Sequence, residues 1–143
     1  MKILLLNGPN LNLLGNREPD IYGSKTLKDI EGELESLFAS KSHTLHSFQS
    51  NHEGQLIDFL HDNRDAGYAI INPGGLTHTS VSLRDAFSGT AVPFIEVHIS
   101  NIHAREEFRH HSFLSSIAAG VIVGCGIQGY HLAADLVIKR LEA

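Results

Sequence analysis

Apolar residues along this chain fall into two alternating patterns. Unbroken apolar runs, such as the core of KILLLN at 2–7 and YAII at 68–71, read as strands buried on both faces. Between the runs, apolar residues recur at helical spacing. Leu27, Ile30, Leu34, Leu37 and Phe38 predict a helix over 26–39, with Thr26 and Asp29 as its capping pair. The same reading predicts strands at Lys2–Asn7, Thr44–Ser50, Tyr68–Asn72, Phe94–Ile99 and Gly120–Gly124. It predicts helices at Glu53–Ala66, with Leu56, Ile57 and Leu60 inward, at Thr79–Phe87 and at Gln128–Leu141. Thr44–Ser50 is the least apolar of the strands and belongs near a sheet edge.

Strand and helix signals that alternate in this way imply an α/β protein with a parallel sheet covered on both faces. Five strands in a chain of 143 residues suggest one domain, 1–143, with the flavodoxin-like doubly wound order. Such sheets bind ligands beyond the carboxyl ends of their strands, near the point where strand order reverses. Residues just after strands are therefore the candidates for function. Asn10, Asn72, His98 and Ser100 all meet that rule.

One connection breaks the rhythm. Between the first strand and the first helix lies GPNLNLLGNREPDIYGSK, about three times the usual two to six residues. A connection of that length is commonly a binding loop or lid. It carries Asn10, Arg17 and Tyr22, and a tyrosine near an arginine can serve as a base.

Composition narrows the chemistry. The formal charge is −5 and tryptophan is absent, so no basic stripe for nucleic acid is present. An anionic ligand would have to be held by local arginines and backbone N–H groups. Cys125 is the only cysteine, which excludes an internal disulfide and a cysteine-rich zinc site. The ten histidines are scattered and lack HExxH or similar spacing, so no metal site is expected. His43, His46, His61, His110, His111 and His131 read as surface or helix-face residues. No apolar run is long enough to span a membrane, and no signal-peptide pattern opens the sequence. The expectation is a cytoplasmic protein.

Several motifs carry chemistry. Glu96 and His98 alternate in FIEVH and so share one face of a buried strand, which is costly unless they are paired or functional. NPGGLTHTS, 72–80, leaves a strand, turns on two glycines and enters a helix capped by Thr79 or Ser80. Asn72 and His78 beside that turn suit a polar ligand. Arg105 and Arg109 are four apart and would share a face of a short helical turn, with Glu106 and Glu107 as possible counter-charges. GCGIQG, 124–129, matches GxGxxG, but too few residues follow for a dinucleotide-binding unit. It reads better as a tight turn with close helix–strand packing, which makes Cys125 a small buried residue. None of the lysines (2, 25, 28, 41 and 139) falls at the carboxyl end of a strand, so ketone chemistry without an imine is expected.

Taken together, NGPNLNLLGNREPDIYG at 7–23, NPGGLTHTSVSLRDA at 72–86, PFIEVHISNIHAREEFRHHS at 93–112 and GVIVGCGIQGY at 120–130 closely resemble the type II 3-dehydroquinate dehydratases of the shikimate pathway. The resemblance covers essentially the whole chain. It implies reversible anti elimination of water from 3-dehydroquinate through an enolate, without metal or organic cofactor, by a dodecamer built from trimers. It implies Tyr22 as base, Arg17 as its activator, His98 as acid, Glu96 as the group orienting His98, and Asn10 as an enolate donor. It further implies Asn72, His78 and Arg109 on the ring hydroxyls and the backbone N–H groups of Ile99 and Ser100 on the carboxylate. Asp85 would reach a neighbouring subunit's site, and Arg105 would be a second lid arginine. A nearby arginine favours the tyrosine's phenolate, while desolvation under a lid opposes it. The alternative from a different class is a non-catalytic flavodoxin-like module that binds a small polyol acid or nucleotide.

Overall fold

The computed structural model describes residues 1–16 and 23–143. Arg17 and Tyr22 lie outside the described residues. The five strands are β1 (Lys2–Asn7), β2 (Thr44–Gln49), β3 (Tyr68–Asn72), β4 (Phe94–His98) and β5 (Gly120–Val123). The helices are α1 (Leu27–Ala39), α2 (Glu53–Asp62), α3 (Val81–Thr90) and α4 (Gln128–Glu142). All strands pair in parallel in the order β2-β1-β3-β4-β5, the flavodoxin-like doubly wound sheet. β2 is an edge strand, in keeping with its mixed polarity.

Period-two alternation on β1 builds two cores from one strand. Ile3 and Leu5 pack with α1 and α4, through residues such as Ile30, Phe38 and Val137. Leu4 and Leu6 face the other way, onto Leu56 and Leu60 of α2 and Phe87 of α3. The α1 start follows the sequence reading. Thr26 Oγ1 accepts from the Asp29 N–H, and Asp29 returns a bond to the Thr26 N–H.

Three predicted details differ. Helix α2 stops at Asp62, not Ala66, because Asn63 leaves helical geometry and its side chain caps the Phe59 carbonyl at 2.8 Å. The helix predicted over 79–87 is two pieces. A 3-10 turn spans Gly74–His78, and Ser80 then caps α3 by accepting from the Leu83 N–H at 2.9 Å. Cys125 is exposed, not buried. The turn at Gly124 and Gly126, with φ of 82° and 64°, lifts it off the sheet.

Strand order reverses between β1 and β3, where Asn7 pairs in register with Asn72. Just beyond, the Gly8 N–H donates to the Asn72 carbonyl at 2.8 Å. Any side chain at Gly8 would run into the Pro73 carbonyl, so only glycine closes this crossing. Below it sits Tyr130 of α4, fully buried. Its hydroxyl donates to Asn7 Oδ1 at 2.6 Å and accepts from Asn72 Nδ2 at 2.9 Å. Burial pushes this phenol far above its usual range, with the Asn72 bond only partly opposing, so it remains a donor throughout the working pH range. Among the described residues, no helix is long and apolar enough to cross a membrane.

Tyr130→Phe leaves two buried amides short of a partner. We expect a loss of about 2 kcal/mol in unfolding free energy, read as a lower urea midpoint with an unchanged slope.

Candidate active site

A cleft of about 330 Å³ opens at the carboxyl ends of β1, β3 and β4. The residues that follow these strands form its walls, as the doubly wound topology dictates. Asn10, Asn72, His78, His98, Ile99, Ser100, Arg105 and Arg109 all line it. Glu96 stands behind His98. Asp85 does not join them. It is exposed on α3, outside the cleft of its own chain.

The wall at β4 is an ionisable pair. Glu96 has no exposed surface and His98 is 4% exposed. His98 Nε2 makes a short bond to Glu96 Oε2. Glu96 Oε2 also meets Thr77 Oγ1 at 3.1 Å and Ser112 Oγ at 2.9 Å, and Oε1 accepts from Ser115 Oγ at 2.8 Å. Burial pushes the Glu96 carboxyl up. The bond and charge of His98, with the Ser115 and Ser112 hydroxyls, outweigh that and hold it below the usual carboxylate range. Because Nε2 is engaged, Nδ1 is the nitrogen left for chemistry in the cleft.

The wall at β3 is set by Asn72. Its Oδ1 accepts from the Gly74 N–H at 3.1 Å and its Nδ2 donates to Tyr130. One N–H and one lone pair remain for a ligand. His78 Nδ1 donates to the His111 carbonyl at 2.7 Å, which leaves Nε2 free to accept.

The wall at β1 begins with Asn10 in the left-handed region, φ 72°, which asparagine tolerates better than most residues. Its N–H donates to Asn51 Oδ1 at 3.0 Å. Gln49 Nε2 braces the same spot, reaching the Gly8 carbonyl and Asn51 Oδ1 at 3.2 Å each. The end of β2 therefore holds the root of the long loop.

The fourth wall carries the arginines. They do not share one helical turn as expected. Two separate 3-10 turns, Ile102–Ala104 and Glu107–Arg109, flank an extended Arg105 with φ −104°. The extended backbone still delivers both side chains to the cleft. Arg105 Nη1 donates to Ser100 Oγ at 3.2 Å, and Arg109 Nε bonds Glu106. Two guanidiniums thus line the cleft of an acidic chain, the local exception that an anionic ligand would need. Among the described residues, no lysine lines it and no group of side chains is arranged to hold a metal ion.

Sequence reasoning did not single out Thr77, Ser112, Ser115, Gln49, Asn51 or Tyr130 as site residues. Each acts through a tertiary partner. The one available signal was the buried Glu96 itself, which must find several donors wherever they come from.

A doubly wound α/β sheet with a carboxylate–histidine pair and two arginines at its carboxyl edge has the anatomy of an acid–base enzyme acting on a small anion. The sequence model of one family, Dehydroquinase class II, matches residues 1–138. The chain belongs to that family. It is 58% identical over 140 residues to the catabolic 3-dehydroquinase 2 of Neosartorya fischeri, covering 97% of this chain and 93% of that one. It is 57% identical over 141 residues to the 3-dehydroquinate dehydratase of a Janthinobacterium species, covering 97% of each. The crystal structure of type II dehydroquinase from Butyrivibrio crossotus superposes with a TM-score of 0.90 at 43% identity, over 96% of this chain and 97% of that one.

The depressed Glu96 carboxyl makes a prediction about acid stability. A carboxyl held low when folded contributes stability above its unfolded value, near 4.5, and loses it as pH falls through the folded value. Glu96→Gln should therefore be less stable at neutral pH and show a flatter decline below about pH 4.5, measured by urea unfolding across pH.

Proposed function

We propose that this protein is a cofactor-free type II 3-dehydroquinate dehydratase, converting 3-dehydroquinate reversibly to 3-dehydroshikimate and water. The observation that carries the reading is His98, clamped by a buried carboxylate and facing a cleft with two arginines, in a chain of the dehydroquinase family.

In the first step Tyr22 takes a proton from C2. The C–H electron pair becomes the π bond of an enolate, and the carbonyl oxygen becomes an oxyanion. Arg17 favours the Tyr22 phenolate, and Asn10, with a water, donates to the oxyanion. In the second step the oxyanion pair re-forms the ketone. The enolate π electrons shift to make the ring double bond, and the C–O bond to the departing hydroxyl breaks. That oxygen keeps the bonding pair and takes a proton from His98, so water leaves. Tyr22 ends protonated and His98 neutral, and solvent exchange resets both.

Binding follows from the same walls. Asn72, His78 and Arg109 take the ring hydroxyls, the backbone N–H groups of Ile99 and Ser100 take the carboxylate, and Arg105 closes over it. Asp85, exposed and outside its own cleft, suits a residue that reaches a neighbouring subunit's site. The functional form is then a cytoplasmic homo-oligomer, a dodecamer of trimers. A module that only binds a polyol acid or nucleotide has no use for a buried carboxylate–histidine pair, so the catalytic reading is preferred.

The test is turnover of 3-dehydroquinate by the purified protein, followed by the ultraviolet absorbance of the conjugated product. Tyr22→Phe and His98→Asn should each lower kcat at least about a hundredfold. Undiminished turnover in Tyr22→Phe would remove the phenolate from the mechanism. Borohydride added with substrate should leave activity intact. Irreversible inactivation would reveal an imine and overturn the enolate route.

A further inference from the structure

Orienting one imidazole requires one acceptor bond. Glu96 has that bond and three hydroxyls besides, drawn from two other segments of the chain. Counting protons shows what they do. An ionised carboxylate donates nothing. Thr77 Oγ1 and Ser112 Oγ hold one proton each, yet they lie 2.6 Å apart and both approach Glu96 Oε2. Three short contacts therefore share two protons. Ser112 Oγ already accepts from the N–H groups of Leu114 at 3.1 Å and Ser115 at 3.3 Å, which fills its lone pairs. Ser112 must then donate, to Thr77 or to Glu96, and Thr77 must donate to Glu96. The dipoles all run toward the carboxylate.

The segment carrying Ser112 and Ser115 is itself pinned. The Phe113 N–H donates to the Thr77 carbonyl at 2.8 Å. Arg84 of α3 donates to the Phe113 carbonyl at 2.7 Å and to Ser116 Oγ at 2.8 Å.

We propose that Thr77, Ser112 and Ser115 are positioning residues that spread the Glu96 charge and so set how readily the Glu96–His98 pair releases its proton to the departing hydroxyl. The proposal rests on the reading of His98 as the acid. A buried carboxylate with no other donors would satisfy its charge only with the histidine's proton and would grip it. The pair would drift toward carboxylic acid and neutral imidazole, a poor proton donor. Each hydroxyl takes a share of the charge and stabilises the pair after its proton has gone. In the acid step the proton leaves His98 Nδ1 for the hydroxyl oxygen as the C–O bond breaks, and Nε2 stays on Glu96.

Among the described residues, the other charged or titratable groups on this cleft are His78, Arg105 and Arg109, with Arg84 and Tyr130 packed behind it; the proposed mechanism adds Tyr22 and Arg17. None of the described ones bonds to Glu96 and all of these groups are unchanged in the variants below, so a shift of the His98 midpoint itself reports the hydroxyls.

The experiment compares Ser115→Ala and Thr77→Val with the parent, and uses Ser115→Thr as the variant that keeps its hydroxyl. Two quantities are read in the intact protein: the pH profile of kcat, and the titration of the His98 imidazole by NMR, assigned by its loss in His98→Asn. Each missing hydroxyl should raise the midpoint of the pair's titration by about one unit. The basic limb of kcat should move the same way, with the plateau about threefold lower. Ser115→Thr should track the parent. Unmoved midpoints in folded variants, even with lowered kcat, would reduce the hydroxyls to structural props and overturn the proposal, as would a downward shift. If Ser115→Ala does not fold, the near-isosteric Thr77→Val decides by the same criterion. Full turnover in His98→Asn would instead reject the acid role of His98, and the NMR midpoints would still judge the hydroxyls.

Discussion

A carboxylate with no exposed surface has to find its solvent inside the protein. Left bare, such a group would take up a proton or destabilise the fold by several kcal/mol. Glu96 avoids both outcomes because three parts of the chain meet at its two oxygens. Period-two alternation on β4 supplies His98. The 3-10 turn after β3 supplies Thr77, and the segment before β5 supplies Ser112 and Ser115. The site wall and the solvation of this one charge are thus the same set of bonds. Arg84, reaching from α3, secures the segment on which two of the donors ride.

The doubly wound order decides where that wall stands. Reversal of strand order between β1 and β3 opens a crevice at their carboxyl ends, and Gly8 lets the two connections cross without a clash. Tyr130 ties Asn7 and Asn72 together beneath the crevice, so one face of Asn72 is fixed and the other is free for a ligand. The polar walls rest on neutral amides and the Glu96 network. That leaves the arginines to supply local positive charge in a chain of net charge −5.

Much of this was legible in the sequence, because it depends on periodicity. Continuous apolar runs marked β1 and β3, helical spacing marked α1, and the Glu96–His98 alternation marked the side of β4 that meets the cleft. What stayed hidden depends on partners far apart in the chain. Tyr130 and Asn7 are separated by 123 positions, and Ser115 and Glu96 by 19, and no local pattern announces either bond. The spacing of Arg105 and Arg109 suggested a helical turn. An extended residue between two 3-10 turns delivers the same pair by another route. Cys125 misled for a similar reason. The glycines on either side of it bend the backbone outward, where a buried turn had been expected.

The site as described requires an ionised Glu96 that receives a proton-bearing imidazole. Neutron diffraction from deuterated crystals grown near neutral pH locates the exchangeable protons directly. Deuterium is expected on His98 Nε2, on Thr77 Oγ1 and on Ser115 Oγ, each directed at Glu96, and none on the Glu96 carboxyl. Deuterium on Glu96 with a bare Nε2 would contradict an ionised Glu96.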